Sequence, residues 1–203
     1  MTFTSLRFVF LALVLALFVP IGSALAQSCG GNEDAECPPE SESDLGPAGQ
    51  SINTGVTNDI VKILKGANAT CDREIEWRYR IDCLRIYYLK VAERLPNTGD
   101  YLPIKKAMLE ASAKLDLIIT ANLDEGAPAL RPREGHKPAA KRLPPLRAVK
   151  KGKTGIALAQ AAKVVKETEL IILRSGGDPA RRTQHYTEVA AAVEDNLIIL
   201  RSA

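Results

Sequence analysis

Two sets of side chains in this chain have the types and spacing to do chemistry. Cys29, Cys37, Cys71 and Cys83 are its only thiols, and Arg131, Arg133, Lys137, Lys141, Arg142, Arg147, Lys150, Lys151 and Lys153 are nine cations set against the single acid Glu134. An even number of cysteines pairs by default in an oxidising compartment, so two disulfides are expected. The cations are held apart by Pro132, Pro138, Pro144 and Pro145, which remove backbone donors and block helix. Cations spaced in this way do not neutralise one another, and they are expected to present a positive field to an anionic partner. Such binding collapses as salt rises, and each cation contributes about 1 kcal/mol near an anionic membrane surface. The implied partner is an anionic envelope component, a lipid head group or a polymer. Nucleic acid would satisfy the same chemistry but is not the partner expected. The alternative for this stretch is a solvated tether, or one folded against the chain's own acidic part.

Other chemistry finds no support. Gly152-Lys153-Thr154 imitates the end of a phosphate-binding loop, but Arg147 stands where the earlier glycine is required and no strand precedes it. His185 has no Ser, Cys or acidic partner at catalytic spacing and reads as a surface histidine. A zinc site needs closer ligand pairs than these cysteines make, with His136 or His185 in support, and neither is placed to help. No enzyme activity, metal or cofactor is therefore expected. The rival reading is a cell-wall glycan-acting enzyme in which Trp77, Tyr79, Tyr87 and Tyr88 stack on sugar rings. Trp77 and Tyr88 are more readily core residues, because both fall on the apolar stripe of a helix. The stretch from Cys71 to Cys83-Leu84 and Tyr88 resembles small periplasmic cysteine-paired helical proteins of the lysozyme-inhibitor type. That resemblance implies an inhibitor with acidic charge turned to a basic enzyme, a charge only the N-terminal part of this chain carries. It is confined to that short stretch and assigns no family.

The N-terminus sets the compartment. Arg7, the apolar run Phe8 to Val19, the breakers Pro20 and Gly22, and Ala24-Leu25-Ala26 together read as a secretory signal peptide over residues 1–26. The expected product begins at Gln27, carries no transmembrane segment after cleavage, and is periplasmic or extracellular. Gln27 in the window before Cys29 argues against lipidation.

The elements that must position these residues are helices. Residues 27–54 are rich in acid, Gly, Pro and Ser and read as a disordered acidic tail. Residues 55–126 hold the N-terminal helices. Val56, Ile60, Ile63 and Leu64 give a short helix that Gly66 can end, a second runs from Thr70 as N-cap to Leu95, and a third from Leu102 to Asn122. On the second helix Trp77, Ile81, Leu84, Tyr88, Val91 and Leu95 share one stripe. Residues 127–153 form the basic Pro-rich linker, long enough to reach across the domain or away from it. Residues 154–203 form a helical hairpin, Gly155 to Arg174 and Pro179 to Arg201, turned at Ser175-Gly176-Gly177. The expected fold is all-α, an antiparallel helical bundle of four long helices and one short one.

This layout bears on cysteine pairing, for which three connectivities are open. If Thr70 caps a continuous helix, Cys71 and Cys83 stand ~18 Å apart at ~1.5 Å rise per residue, whereas a disulfide needs Cα atoms within about 7 Å. Each would then hold a tail cysteine and strap residues 27–50 along the second helix, which is the favoured expectation. In the alternative, the chain just after Cys71 is irregular, and the pairs are Cys71–Cys83 and Cys29–Cys37.

Overall fold

Asn53 starts the first helix by accepting the Val56 N–H on its side-chain oxygen at 2.9 Å, the usual way to satisfy an orphan first-turn donor. The computed structural model describes residues 51–72, 74–177 and 180–201. The expected signal peptide, the acidic segment up to residue 50, Cys29 and Cys37 lie outside them. Ile52, placed at sequence level in the tail, is buried in the core.

Helix α1, Thr54–Thr70, does not stop at Gly66. Leu64, Ala67 and Thr70 continue its buried face, and tertiary packing outweighs the glycine's weak helix preference. Thr70 is accordingly the last residue of α1 and not the N-cap of the next helix. Residues 71, 72 and 74–76 are non-helical and make a corner, in which the Asp72 carboxylate accepts the Glu74 N–H at 2.9 Å and the Asp72 carbonyl accepts the Ile75 N–H at 3.1 Å. Helix α2, Trp77–Arg94, begins only after it.

That corner overturns the strapping arrangement. Cys71, at the C-cap of α1, turns back onto Cys83 in the middle of α2, and the two form a disulfide with a Cα–Cα distance of 5.7 Å. The ~18 Å separation required one continuous helix, and the helix is interrupted between the two cysteines. Both are fully buried. The late start of α2 also overturns the placement of Trp77: at the first helical position it is 46% exposed, while Ile81, Leu84, Tyr88 and Val91 fill the core as the stripe requires.

Helix α3, Leu102–Ala121, buries Ile104, Met108, Ala111, Leu115 and Ile119. Helix α4, Thr154–Ser175, and helix α5, Ala180–Asp195, form the C-terminal hairpin. The last expected helix is not continuous. Asn196, fully buried, interrupts it and donates to the Leu64 carbonyl at 3.0 Å and the Asn68 side chain at 2.9 Å, both on α1. A short α6, Leu197–Arg201, follows. It is held where the buried Arg80 guanidinium donates to the Ile199 carbonyl at 3.2 Å.

The fold is an all-α helical bundle. Each of α1 to α5 packs on its sequence neighbours, and α5 packs on α1, which closes the ring around one aliphatic and tyrosine-rich core. The short helix is α6, at the C-terminal end, and not the first helix as the sequence suggested.

Residues 127–153 return across the bundle instead of leading away from it. Leu123 pairs with Val149, Leu130 with Leu146 and Arg133 with Arg142 as isolated antiparallel bridges, so the chain goes out and back as an irregular ribbon. Its root closes on the end of α3, where the Asn122 carbonyl accepts the Lys150 N–H at 2.9 Å, so α4 starts beside the end of α3 and runs antiparallel to it. Leu143, Leu146, Ala148 and Val149 are buried against the bundle.

Candidate anion-binding groove

The ribbon divides the nine cations into different roles. Arg147 is committed to structure: its backbone N–H and guanidinium donate to the Asp82 carboxylate at 2.8 and 3.0 Å, and the guanidinium also bonds Asp116. Arg133 donates to the Ala140 carbonyl at 2.7 Å and holds the ribbon tip to itself. Arg131, Lys137, Lys141, Arg142, Lys150, Lys151 and Lys153 are exposed. They do not form one patch. Lys150, Lys151 and Lys153 stand at the ribbon root beside the start of α4, whereas Lys137 and Lys141 stand at the tip.

At the tip the structure adds two lysines that sequence spacing did not reach. Lys62 of α1 and Lys90 of α2 join Lys137 and Lys141 around a groove of about 670 Å³, floored by Ile63, Gly66, Ala69 and Tyr87. Lys90 lies with its ammonium 4.6 Å from the centre of the Tyr87 ring and is ion-paired with Glu134. Lys62, Lys137 and Lys141 make no ion pair with another described residue. The only signal for Lys62 and Lys90 in the sequence is that both stand outside the apolar stripes of their helices, which is true of most surface lysines.

Thr70 fixes the groove's shape. Its hydroxyl donates to the Gly66 carbonyl at 2.8 Å, lies 2.7 Å from the Tyr87 hydroxyl, and accepts the Gly135 N–H at 2.9 Å. One side chain thus ties α1, α2 and the ribbon tip together. Burial pushes the Tyr87 phenol above its ordinary value, with the Thr70 hydrogen bond opposing, so the floor is uncharged at neutral pH. The tip turns tightly at Gly135 and His136, both with φ of 56°. For a residue with a Cβ this region costs on the order of 1–2 kcal/mol. His136 is held there between Asp72 at 3.2 Å and Glu74 at 3.5 Å.

Comparison with protein-family models, with curated proteins and with solved structures finds no match to this chain.

The remaining sequence candidates separate clearly. Tyr79, Tyr87 and Tyr88 are buried, and the Tyr79 hydroxyl donates to the Pro128 carbonyl at 2.8 Å, so the four aromatics make no exposed platform for a sugar ring. His185 is buried on α5 and not at the surface, because α5 turns that face toward the bundle. Among the described residues no cluster of His, Cys, Asp and Glu could hold a metal ion.

Proposed function

We propose that the chain is an exported, non-enzymatic helical binding protein whose basic ribbon engages an anionic partner in the cell envelope. The observation that carries this reading is the set of lysines at the ribbon tip: Lys62, Lys137 and Lys141 converge on one groove without an ion pair to any described residue. Gathering like charges costs energy, and a bound anion offsets that cost. Export is supported by the N-terminal apolar run with its Ala24-Leu25-Ala26 site and by the Cys71–Cys83 disulfide, which persists in oxidising compartments. No helix among the described residues is long and apolar enough to cross a membrane.

The test is retention on phosphocellulose and on phosphatidylglycerol vesicles across a salt series. The expected result is a steep loss of binding with salt, together with loss at low salt when Lys137, Lys141 and Arg142 are all changed to Gln. Retention indifferent to both salt and substitution would refute the reading. N-terminal sequencing of the native product, expected to begin at Gln27, tests export separately.

A further inference from the structure

We infer that the groove at the ribbon tip takes a compact ligand bearing several phosphates, held by Lys62, Lys137 and Lys141, with Lys90 transferred to it from Glu134. The inference rests on the anionic-partner reading and narrows it from a surface to a site and a ligand class.

Size decides first. A concavity of about 670 Å³ lies within the ~300–1,000 Å³ range of small-molecule sites. A groove of this size holds a discrete molecule or a single head group, whereas a polymer would need a basic track continuing along the ribbon. The cations of the ribbon root, Lys150, Lys151 and Lys153, do not continue it.

Charge type decides next. All four groove cations are lysines, while the ribbon's arginines are spent on Asp82, Asp116 and the Ala140 carbonyl or stand outside the groove. Lysine is a compact point charge with rotatable donors, suited to phosphate oxygens approached from several directions, whereas a planar carboxylate is better met by the arginine fork. Four lysines against the one acid Glu134 leave an excess positive charge that a monoanion would not balance. The floor offers Ile63 and Ala69 to a carbon skeleton.

Glu134 then has a role. Its carboxylate sits on Lys90 inside the groove, as an internal counter-ion that an entering phosphate must displace. Removing it should strengthen binding, a direction that a merely diffuse basic surface would show only weakly.

The experiment is calorimetric titration of the oxidised full chain with inositol hexakisphosphate at fixed ionic strength, repeated with phosphatidylglycerol vesicles. Lys62→Gln should weaken binding of the compact probe about fivefold, the equivalent of the ~1 kcal/mol one lysine contributes near an anionic surface. Glu134→Gln should strengthen it by a similar factor, and Lys150→Gln with Lys151→Gln should leave it unchanged. Lys62 is exposed, so folding is not at stake. Vesicle binding that the probe competes away identifies a lipid head group as the source of the phosphates, and probe binding without vesicle binding identifies a soluble ligand. Probe binding indifferent to Lys62→Gln, or equally reduced by the root lysine pair, overturns the site. If salt-sensitive vesicle binding survives that result, the broader reading stands without the groove, and if neither ligand binds, both fall.

Discussion

Asp82, wholly buried within α2, accepts hydrogen bonds from both the backbone N–H and the guanidinium of Arg147, a residue that the sequence assigns to the basic, anion-binding linker. Arg85 bonds the same carboxylate from the next turn of the helix. Burial alone would raise the Asp82 carboxyl, but the hydrogen bonds from Arg147 and Arg85 outweigh it and hold the group below the usual carboxylate range. A depressed acid stabilises the fold at pH above its unfolded value, near ~3.9, and that contribution is lost as pH falls through the lower folded value. Asp82→Ala should therefore cost about 3–5 kcal/mol at pH 7, because it strands Arg147 and undocks the ribbon. Urea midpoints at pH 7 and pH 3 check this: wild type should lose more stability between them than Asp82→Asn does, and parallel losses would count against the assignment.

Two buried tyrosines should respond oppositely to loss of their hydroxyls. The Tyr101 hydroxyl donates to the Asn53 carbonyl at 2.7 Å, accepts the Asn53 N–H at 3.0 Å and lies 2.8 Å from the Thr57 hydroxyl, fastening the start of α1. Tyr101→Phe leaves those groups unsatisfied and should cost about 1–3 kcal/mol. The Tyr88 hydroxyl is fully buried without a hydrogen-bond partner in the structure. Tyr88→Phe removes an unpaired polar group, so it should be neutral or stabilising by up to ~1 kcal/mol. Thermal melts of the two variants read the difference, and a large loss in Tyr88→Phe would mean that the hydroxyl is in fact satisfied.

With Cys71 and Cys83 bonded to each other, the sequence leaves Cys29 and Cys37 as partners for one another. Peptide mapping of the non-reduced protein should find these two pairs and no link between the groups. Changing Cys71 and Cys83 together to Ser should lower stability by about 2–4 kcal/mol, typical of a bridge that closes a short loop, whereas the same change at Cys29 and Cys37 should leave the helical signal and the melting midpoint almost unaltered.

Where periodicity carried the information, the sequence was readable: Ile81, Leu84, Tyr88 and Val91, or Ile104, Met108, Ala111 and Leu115, face inward as their spacing demands. The corner between α1 and α2 was not readable, because Glu74–Arg78 and Glu76–Arg80 mimic the pairs of a continuous helix. In the fold Glu76 meets Arg78, and Arg80 turns inward to backbone carbonyls. Misreading that corner displaced Trp77 and the disulfide together. The prolines of residues 127–153 exclude helix and mark a linker, yet an extended chain can also pack. Leu143, Leu146 and Val149 recur every third residue, the period of a polyproline II chain, and all three are buried. The groove lysines were half legible: Lys137 and Lys141 stood out by charge density, but Lys62 and Lys90 join them only through tertiary packing.

Gly176 and Gly177, read together from sequence as a helix stop, are held to different standards by the structure. Gly176 has helical-region angles, φ −76° and ψ −4°, so any residue could adopt its backbone conformation. Space forbids it: a Cβ there would stand 2.8 Å from the Tyr186 Cβ, and the clash is with the base of a fully buried side chain that cannot swing aside. Gly176→Ala should force α4 and α5 apart and cost about 1–3 kcal/mol. A Cβ on Gly177 meets nothing within 4 Å, so Gly177→Ala should be neutral or stabilising by a few tenths of a kcal/mol through the unfolded chain's lost freedom. Denaturation midpoints for the pair separate close packing from turn geometry: equal losses would show that backbone freedom, and not the approach to Tyr186, is what the hairpin needs.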